Sequence, residues 1–166
     1  EMLLDKEVVE ARAALERGSR VLVLALSQEK LDYQRPKRPE SILALALLEI
    51  LDPIREGAAE TLDYLRTQQV GLKIISGDNP VTVSSIEQKA GFVDYQSYVD
   101  CSKISDEELI AIAVETAIFG RVSPHQKKLI IQTLKKAGYT TAMTGDGVND
   151  ILALREADCS IVMAEG

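Results

Sequence analysis

The chain has 166 residues, 46% hydrophobic and 27% charged, a balance that excludes a disordered tail, a collagen-like fibre and a disulfide miniprotein. Nineteen Lys and Arg against twenty-six Asp and Glu leave a net charge of −7, which argues against a nucleic-acid backbone binder, and five Tyr, two Phe and no Trp leave little for base stacking. The longest nearly apolar run, Ile42 to Leu51, is interrupted by Glu49 and falls far short of the ~20 residues a membrane-spanning helix needs.

At the N-terminus, Glu1-Met2-Leu3-Leu4-Asp5 has no basic and apolar regions of a signal peptide and no initiator residue, so a segment cut from a longer chain is expected. Leu4, Val8, Ala11 and Leu15 share a helical face stopped by Gly18, and Val21 to Leu26 reads as a strand. Arg35-Pro36-Lys37-Arg38-Pro39 marks a solvated linker. Beyond it, strands and helices alternate. Ile42 to Leu51 is predicted as a buried strand, Ile54, Ala58, Leu62 and Leu65 as a helical face, Leu72 to Ser76 as a strand, and Val83, Ile86 and Ala90 as a helix. Ser105 with Glu108 forms a capping box for a helix ending near Thr116, before a strand at Ala117 to Val122. Ser123-Pro124 with Gln126 opens a helix whose apolar face holds Ile130, Ile131 and Leu134. Strand Tyr139 to Thr144, helix Val148 to Ala157 and strand Cys159 to Met163 complete the series. Cys101 and Cys159 lack CxxC spacing, which reads as a reducing compartment, and they carry no functional signal.

This order implies an α/β fold, a Rossmann-like, mostly parallel sheet with helices on both faces. Ligands of such sheets bind beyond the carboxyl ends of the strands, and three of those ends carry chemistry. In Ser76-Gly77-Asp78-Asn79-Pro80 a hydroxyl and free amides at a helix start suit a phosphoryl oxygen, although the same residues make a plain capped turn. In Ser123-Pro124-His125-Gln126-Lys127, Lys127 sits in a first helical turn beside Lys128, and His125 is given no role. In Thr144-Gly145-Asp146-Gly147-Val148-Asn149-Asp150, two glycines allow a ligand close to the backbone, two carboxylates offer hard oxygens to Mg²⁺, and Asn149 can donate to a phosphate.

Together these residues resemble the haloacid dehalogenase superfamily, and the spellings narrow the likeness. Leu51-Asp52-Pro53-Ile54-Arg55, Ser76-Gly77-Asp78, Phe119-Gly120-Arg121-Val122-Ser123-Pro124 with Lys127, and Thr144 to Asp150 resemble the phosphorylation domain of P-type cation-transporting ATPases. The resemblance covers residues 41–166, and residues 1–40 look like the end of the preceding nucleotide-binding domain. It implies an ATP-driven pump cycling through an aspartyl-phosphate, with Mg²⁺ and ATP as cofactors. By resemblance, Asp146 helps hold Mg²⁺ with Asp150 as a second acid. Lys127 neutralises the transferred phosphoryl, Ser76, Gly77 and Asn149 contact phosphate, Asp78 and Arg121 contact nucleotide, and Asp52 with Arg55 orders the domain. The expected partners are the remainder of the same polypeptide, with the cation, calcium or magnesium, bound outside this span. The expected location is the cytosolic part of a bacterial plasma-membrane protein.

The family's nucleophile lies in an Asp-Lys-Thr-Gly-Thr motif that does not occur here, since Asp5-Lys6 continues as Glu7-Val8. The fragment is therefore expected to be inactive alone. In the family that motif follows a strand lying between those ending at Ser76 and Thr144, so a gap is predicted there, closed by a swapped neighbour or a displaced strand such as Val21 to Leu26, or left in a marginal fold. Ile151-Leu152 replaces a usual Ala-Pro, which implies a less common bacterial branch. The alternatives are a soluble haloacid dehalogenase-type phosphatase and a catalytically dead module binding Mg²⁺ and phosphate.

Overall fold

The computed structural model describes residues 5–29 except 17, 39, 41–50, 53–145 and 148–162. They fall into two compact units, Glu1–Arg55 and Glu56–Gly166. In the first, helix α1 (Asp5–Glu16) ends at Gly18, whose φ of 82° lets its amide reach the Leu15 carbonyl at 2.9 Å. Strands β1 (Arg20–Leu26) and β2 (Leu43–Ile50) then pair antiparallel, Arg20 opposite Ile50 and Leu26 opposite Leu43. Buried Ser19 gives its hydroxyl to Glu49 at 2.7 Å.

One expectation is corrected here. The run at Ile42 to Leu51 is not a doubly buried strand: Leu43, Leu45, Leu48 and Ile50 are all 47% exposed or more, while Val21 and Leu47 line a cavity against α1. An apolar run without alternation reads as buried on both faces, yet this one belongs to a two-stranded sheet with a single packed face. β2 pairs with β1 inside the first compact unit, which runs to Arg55. Most of the predicted linker lies outside the described residues.

In the second unit, β3 (Ile74–Ile75), β5 (Ile118–Gly120) and β4 (Tyr98–Asp100) form a parallel sheet in that order, and β6 (Ala142–Gly145) pairs parallel with β7 (Cys159–Val162). The helices are α2 (Ala58–Thr67), α3 (Pro80–Lys89), α4 (Asp106–Ile112), α5 (Pro124–Lys136) and α6 (Ile151–Glu156). Strand alternation sends neighbouring side chains to opposite layers. Ile74 and Ile118 pack with Leu62 of α2 and Val83 of α3, whereas Phe119 packs with Leu109 of α4 and Ile130 of α5. Ile118, Phe119, Leu109 and Ile130 are fully buried, so the core lies on both faces of β5, as the sequence predicts. A third cluster joins Met143 of β6 to Ile131, Ala153 and Leu154, and Ile75 touches it.

β3 and β6 are not paired and belong to separate sheets, so the predicted gap between the strands ending near Ser76 and Thr144 is present among the described residues. β1 does not fill it, because its partner is β2. The short strand β4 was not visible as a periodic pattern, because three residues carry none. α4 stops at Ile112, not near Thr116; there the Lys73 ammonium donates to the Val114 and Thr116 carbonyls at 2.7 and 2.6 Å. The predicted helix from Val148 begins as a 3-10 turn, Val148–Asp150, before α6. Among the described residues no helix is long and apolar enough to cross a membrane.

Candidate functional site

Those sequence-predicted residues of the second unit that the structure describes lie at the carboxyl ends of the strands in two clusters. In the first, the Ser76 amide donates to the Phe119 carbonyl at 2.9 Å and the Val122 amide returns a bond to Ser76 O at 3.0 Å, extending the β3–β5 ladder. The Ser76 Oγ accepts the Asp78 amide at 3.1 Å, which leaves its own proton to donate. Asn79 caps α3 by accepting the Val81 amide at 3.0 Å, and Pro80 takes the first helical position. Thus Ser76-Gly77-Asp78-Asn79-Pro80 forms a capped turn, with Gly77 and Asp78 exposed.

Gly120 is required by close approach. A Cβ there would lie 2.6 Å from the Pro80 ring and backbone nitrogen, so the start of α3 presses directly onto the end of β5. Arg121 follows in a left-handed conformation, φ 53°, which costs a non-glycine residue about 1–2 kcal/mol. Its amide donates to Asp78 O at 2.9 Å, and its Nη1 donates to Asp100 Oδ2 at 3.2 Å. Asp100, at the end of β4, is held in turn by the Ser102 hydroxyl at 2.6 Å and amide at 3.2 Å. Chiefly the Ser102 hydroxyl, then the Ser102 amide, and after them Arg121 and Lys103, hold the Asp100 carboxyl below the ordinary aspartate range.

The second cluster stands on α5 and the end of β6. A full capping box, Ser123 with Gln126, starts α5, and the Gln126 side chain also donates to Cys101 O at 3.0 Å. This fixes the first turn, from which Lys127 Nζ reaches Asp150 Oδ1 at 2.6 Å, with only 12% and 9% of the side chains exposed. Lys128, one position on, is 40% exposed and 3.9 Å from Glu156, so the structure separates the two lysines that the sequence left side by side. Asp150 lies over Gly145, where a Cβ would meet its own Cβ at 2.7 Å. Asn149 is exposed in the 3-10 turn. The clusters are linked through Val122, bonded to Ser76, and the Ser123 cap that aims Lys127.

Asp146 and Gly147 lie outside the described residues, as does Asp52 of the predicted Asp52–Arg55 pair. Among the described residues no group of three or more His, Cys, Asp and Glu side chains could hold a metal ion. The Asp150 carboxyl group beside Lys127 nonetheless fits Mg²⁺, which is usually bound through one or two carboxylates plus phosphate and waters. His125, read as solvated, is exposed, with Nε2 3.1 Å from Asp106 Oδ2. Cys101 is buried, and desolvation pushes its thiol up to about 11. A cavity of about 160 Å³ among Leu62, Leu72 and Phe92 lies toward the amino end of β3, away from all these groups. Sequence reasoning missed Asp100, whose only signal is its place at the end of a strand too short to see.

A fold of parallel strands with helices on both faces, carrying a hydroxyl, a buried lysine and a carboxylate at its carboxyl rim, defines the class. A model of the haloacid dehalogenase-like hydrolases matches residues 3–158, and the chain belongs to that family. Over all 166 residues it is 87% identical to the probable cation-transporting ATPase exp7 of Streptococcus pneumoniae, of which it covers 21%. It is 38% identical to the calcium-transporting ATPase CtpE of Mycobacterium tuberculosis over its whole length and 21% of that protein. It is also 38% identical to the magnesium-transporting ATPase, P-type 1, of Salmonella typhimurium over 69% of this chain and 13% of that relative. The chain thus spans about 21% of the relatives it matches throughout.

Proposed function

We propose that this chain is the cytosolic part of an ATP-driven divalent-cation pump that cycles through an aspartyl-phosphate. The observation that carries the reading is the Lys127–Asp150 pair at 2.6 Å, buried at the end of β6 and aimed by a capped helix. It is supported by the 87% identity to a cation-transporting ATPase along the whole chain. The second unit is then most of a phosphorylation domain. Residues 1–40 are the end of a nucleotide-binding domain, and the phosphorylation domain begins at residue 41.

Phosphoryl transfer needs little covalent chemistry from a protein, and its catalysis is mostly positioning and charge stabilisation. The γ-phosphoryl passes from ATP to an aspartate carboxylate supplied by the rest of the polypeptide, and ADP leaves. Lys127 has three donors, so after binding Asp150 it retains two for the oxygens of that phosphoryl group. The Ser76 proton, the Gly77 amide and the Asn149 side chain donate to the same oxygens. Asp146, with Asp150 as the second acid, would hold Mg²⁺, which would supply positive charge against the phosphate oxygens. Asp78 and Arg121 contact the nucleotide, and Asp52 with Arg55 orders the domain. The cation is bound by membrane-spanning parts of the polypeptide outside this chain. Relatives named for calcium and for magnesium support a divalent cargo.

The test is acid-quenched incubation of the intact polypeptide with γ-labelled ATP and Mg²⁺. Acid-stable, hydroxylamine-labile label is expected on the intact polypeptide and none on this chain alone. An unlabelled intact polypeptide, or label on this chain alone, overturns the reading.

A further inference from the structure

The Arg121–Asp100 pair is not explained by stability. Its arginine stays 45% exposed, and an ion pair so open to water contributes little. The arginine also occupies a left-handed backbone position at φ 53°, which glycine or asparagine would fill at lower cost. A strained residue kept at the carboxyl rim of a parallel sheet marks a position where the side chain itself is needed.

Asp100 is built to hold that side chain. It stands directly opposite Gly120 in the β4–β5 register, one residue from Arg121. One carboxylate oxygen, Oδ1, is fixed by the Ser102 hydroxyl and amide, so the other, Oδ2, has a set direction. Oδ2 takes the Arg121 guanidinium at 3.2 Å, and Lys103 stands 3.5 Å away. With only 15% of the Asp100 side chain exposed and the Arg121 amide tied to Asp78 O, the arginine is held both at its backbone and at its guanidinium. One of its five donors is engaged by Asp100, and the exposed remainder faces solvent with capacity for a ligand.

We infer that Asp100 is a positioning residue that holds the Arg121 guanidinium at the nucleotide. This rests on the reading of Arg121 as a nucleotide contact. Holding a long, rotamer-rich side chain in place before binding removes part of the ordering cost from the binding step. Losing the anchor should therefore weaken nucleotide affinity and leave the phosphoryl-transfer step unchanged.

Asp100 also caps the 3-10 turn Cys101–Lys103, and Asp100→Asn separates the two roles because asparagine caps as well as aspartate but carries no charge for Arg121. The experiment is phosphoenzyme formation by the intact polypeptide over a range of ATP concentrations. Asp100→Asn should raise the half-saturating ATP concentration roughly fivefold, with the maximal level and the thermal unfolding midpoint unchanged. Arg121→Gln should raise it at least as far, and the double variant should be no worse than Arg121→Gln. If Arg121→Gln shifts saturation and Asp100→Asn does not, or if their effects multiply, the positioning role is refuted and Arg121 remains a contact. If Arg121→Gln leaves saturation unchanged, Arg121 is not a nucleotide contact and both readings fall.

Discussion

Lys127 Nζ lies 2.6 Å from Asp150 Oδ1, with 12% and 9% of the two side chains exposed. Two charges this far from water are worth having only together. Removing one leaves the other buried without a partner, whereas replacing both with apolar groups can be nearly neutral. Lys127→Ala should therefore destabilise the second unit by about 3 kcal/mol, and Lys127→Met with Asp150→Leu should recover most of that loss. Denaturant unfolding of the three forms checks this, and the recovered double variant should still form no phosphoenzyme.

Two glycines separate crowding from backbone strain. Gly120→Ala puts a Cβ 2.6 Å from the Pro80 ring and backbone nitrogen, which cannot swing aside, and should cost about 2 kcal/mol or more. Gly57 has nothing within 4 Å of a Cβ but sits at φ 82°, so Gly57→Ala should cost about 1 kcal/mol through the backbone alone. Thermal unfolding of both variants ranks them, and an equal or reversed order contradicts the packing of β5 against α3.

Acid sensitivity is predicted at the opposite ends of β6 and β7. Asp158 Oδ2 accepts the Thr141 amide at 2.9 Å, and Lys135 stands 3.1 Å from Oδ1. The Thr141 backbone bond, followed by the Lys135 and Thr141 side chains, holds the carboxyl below its ordinary 3.8. A depressed folded-state value means that the contribution is present above about 3.8 and is lost as pH falls through the folded value. Hydrogen exchange of the β6 and β7 amides should quicken on acidification through that range, and Asp158→Asn should flatten the change. An equally steep acid limb in Asp158→Asn refutes it.

The two cysteines should differ in reactivity. Cys101 is 1% exposed with its thiol pushed up to about 11, whereas Cys159 is exposed. Iodoacetamide at neutral pH should modify Cys159 in the folded chain and reach Cys101 after denaturation. Prompt native modification of Cys101 contradicts the packing around Phe119.

What was legible in the sequence was what local chemistry encodes. The capping boxes at Ser105 and Ser123, the Asn79-Pro80 helix start and the Gly18 stop all appear where the residues place them. The alternation of strands and helices gave the parallel layer and the residues at its rim. Tertiary partnership was not legible. The β2 run is apolar enough for a buried strand, and only its antiparallel pairing with β1 shows that one face stays open. Neither the choice of Lys127 over Lys128 nor the role of Asp100 has a one-dimensional signature. The first depends on helix phase against Asp150, and the second on a three-residue strand meeting β5.

The measurement that bears most directly on the central claim compares Lys127→Ala with Lys128→Ala in the acid-quenched phosphorylation of the intact polypeptide. Charge stabilisation at a transferring phosphoryl group is worth on the order of a hundredfold in rate or more, and Lys128 has no part in it. The account predicts near-complete loss of aspartyl-phosphate in Lys127→Ala and wild-type labelling in Lys128→Ala. Wild-type labelling in Lys127→Ala would contradict it.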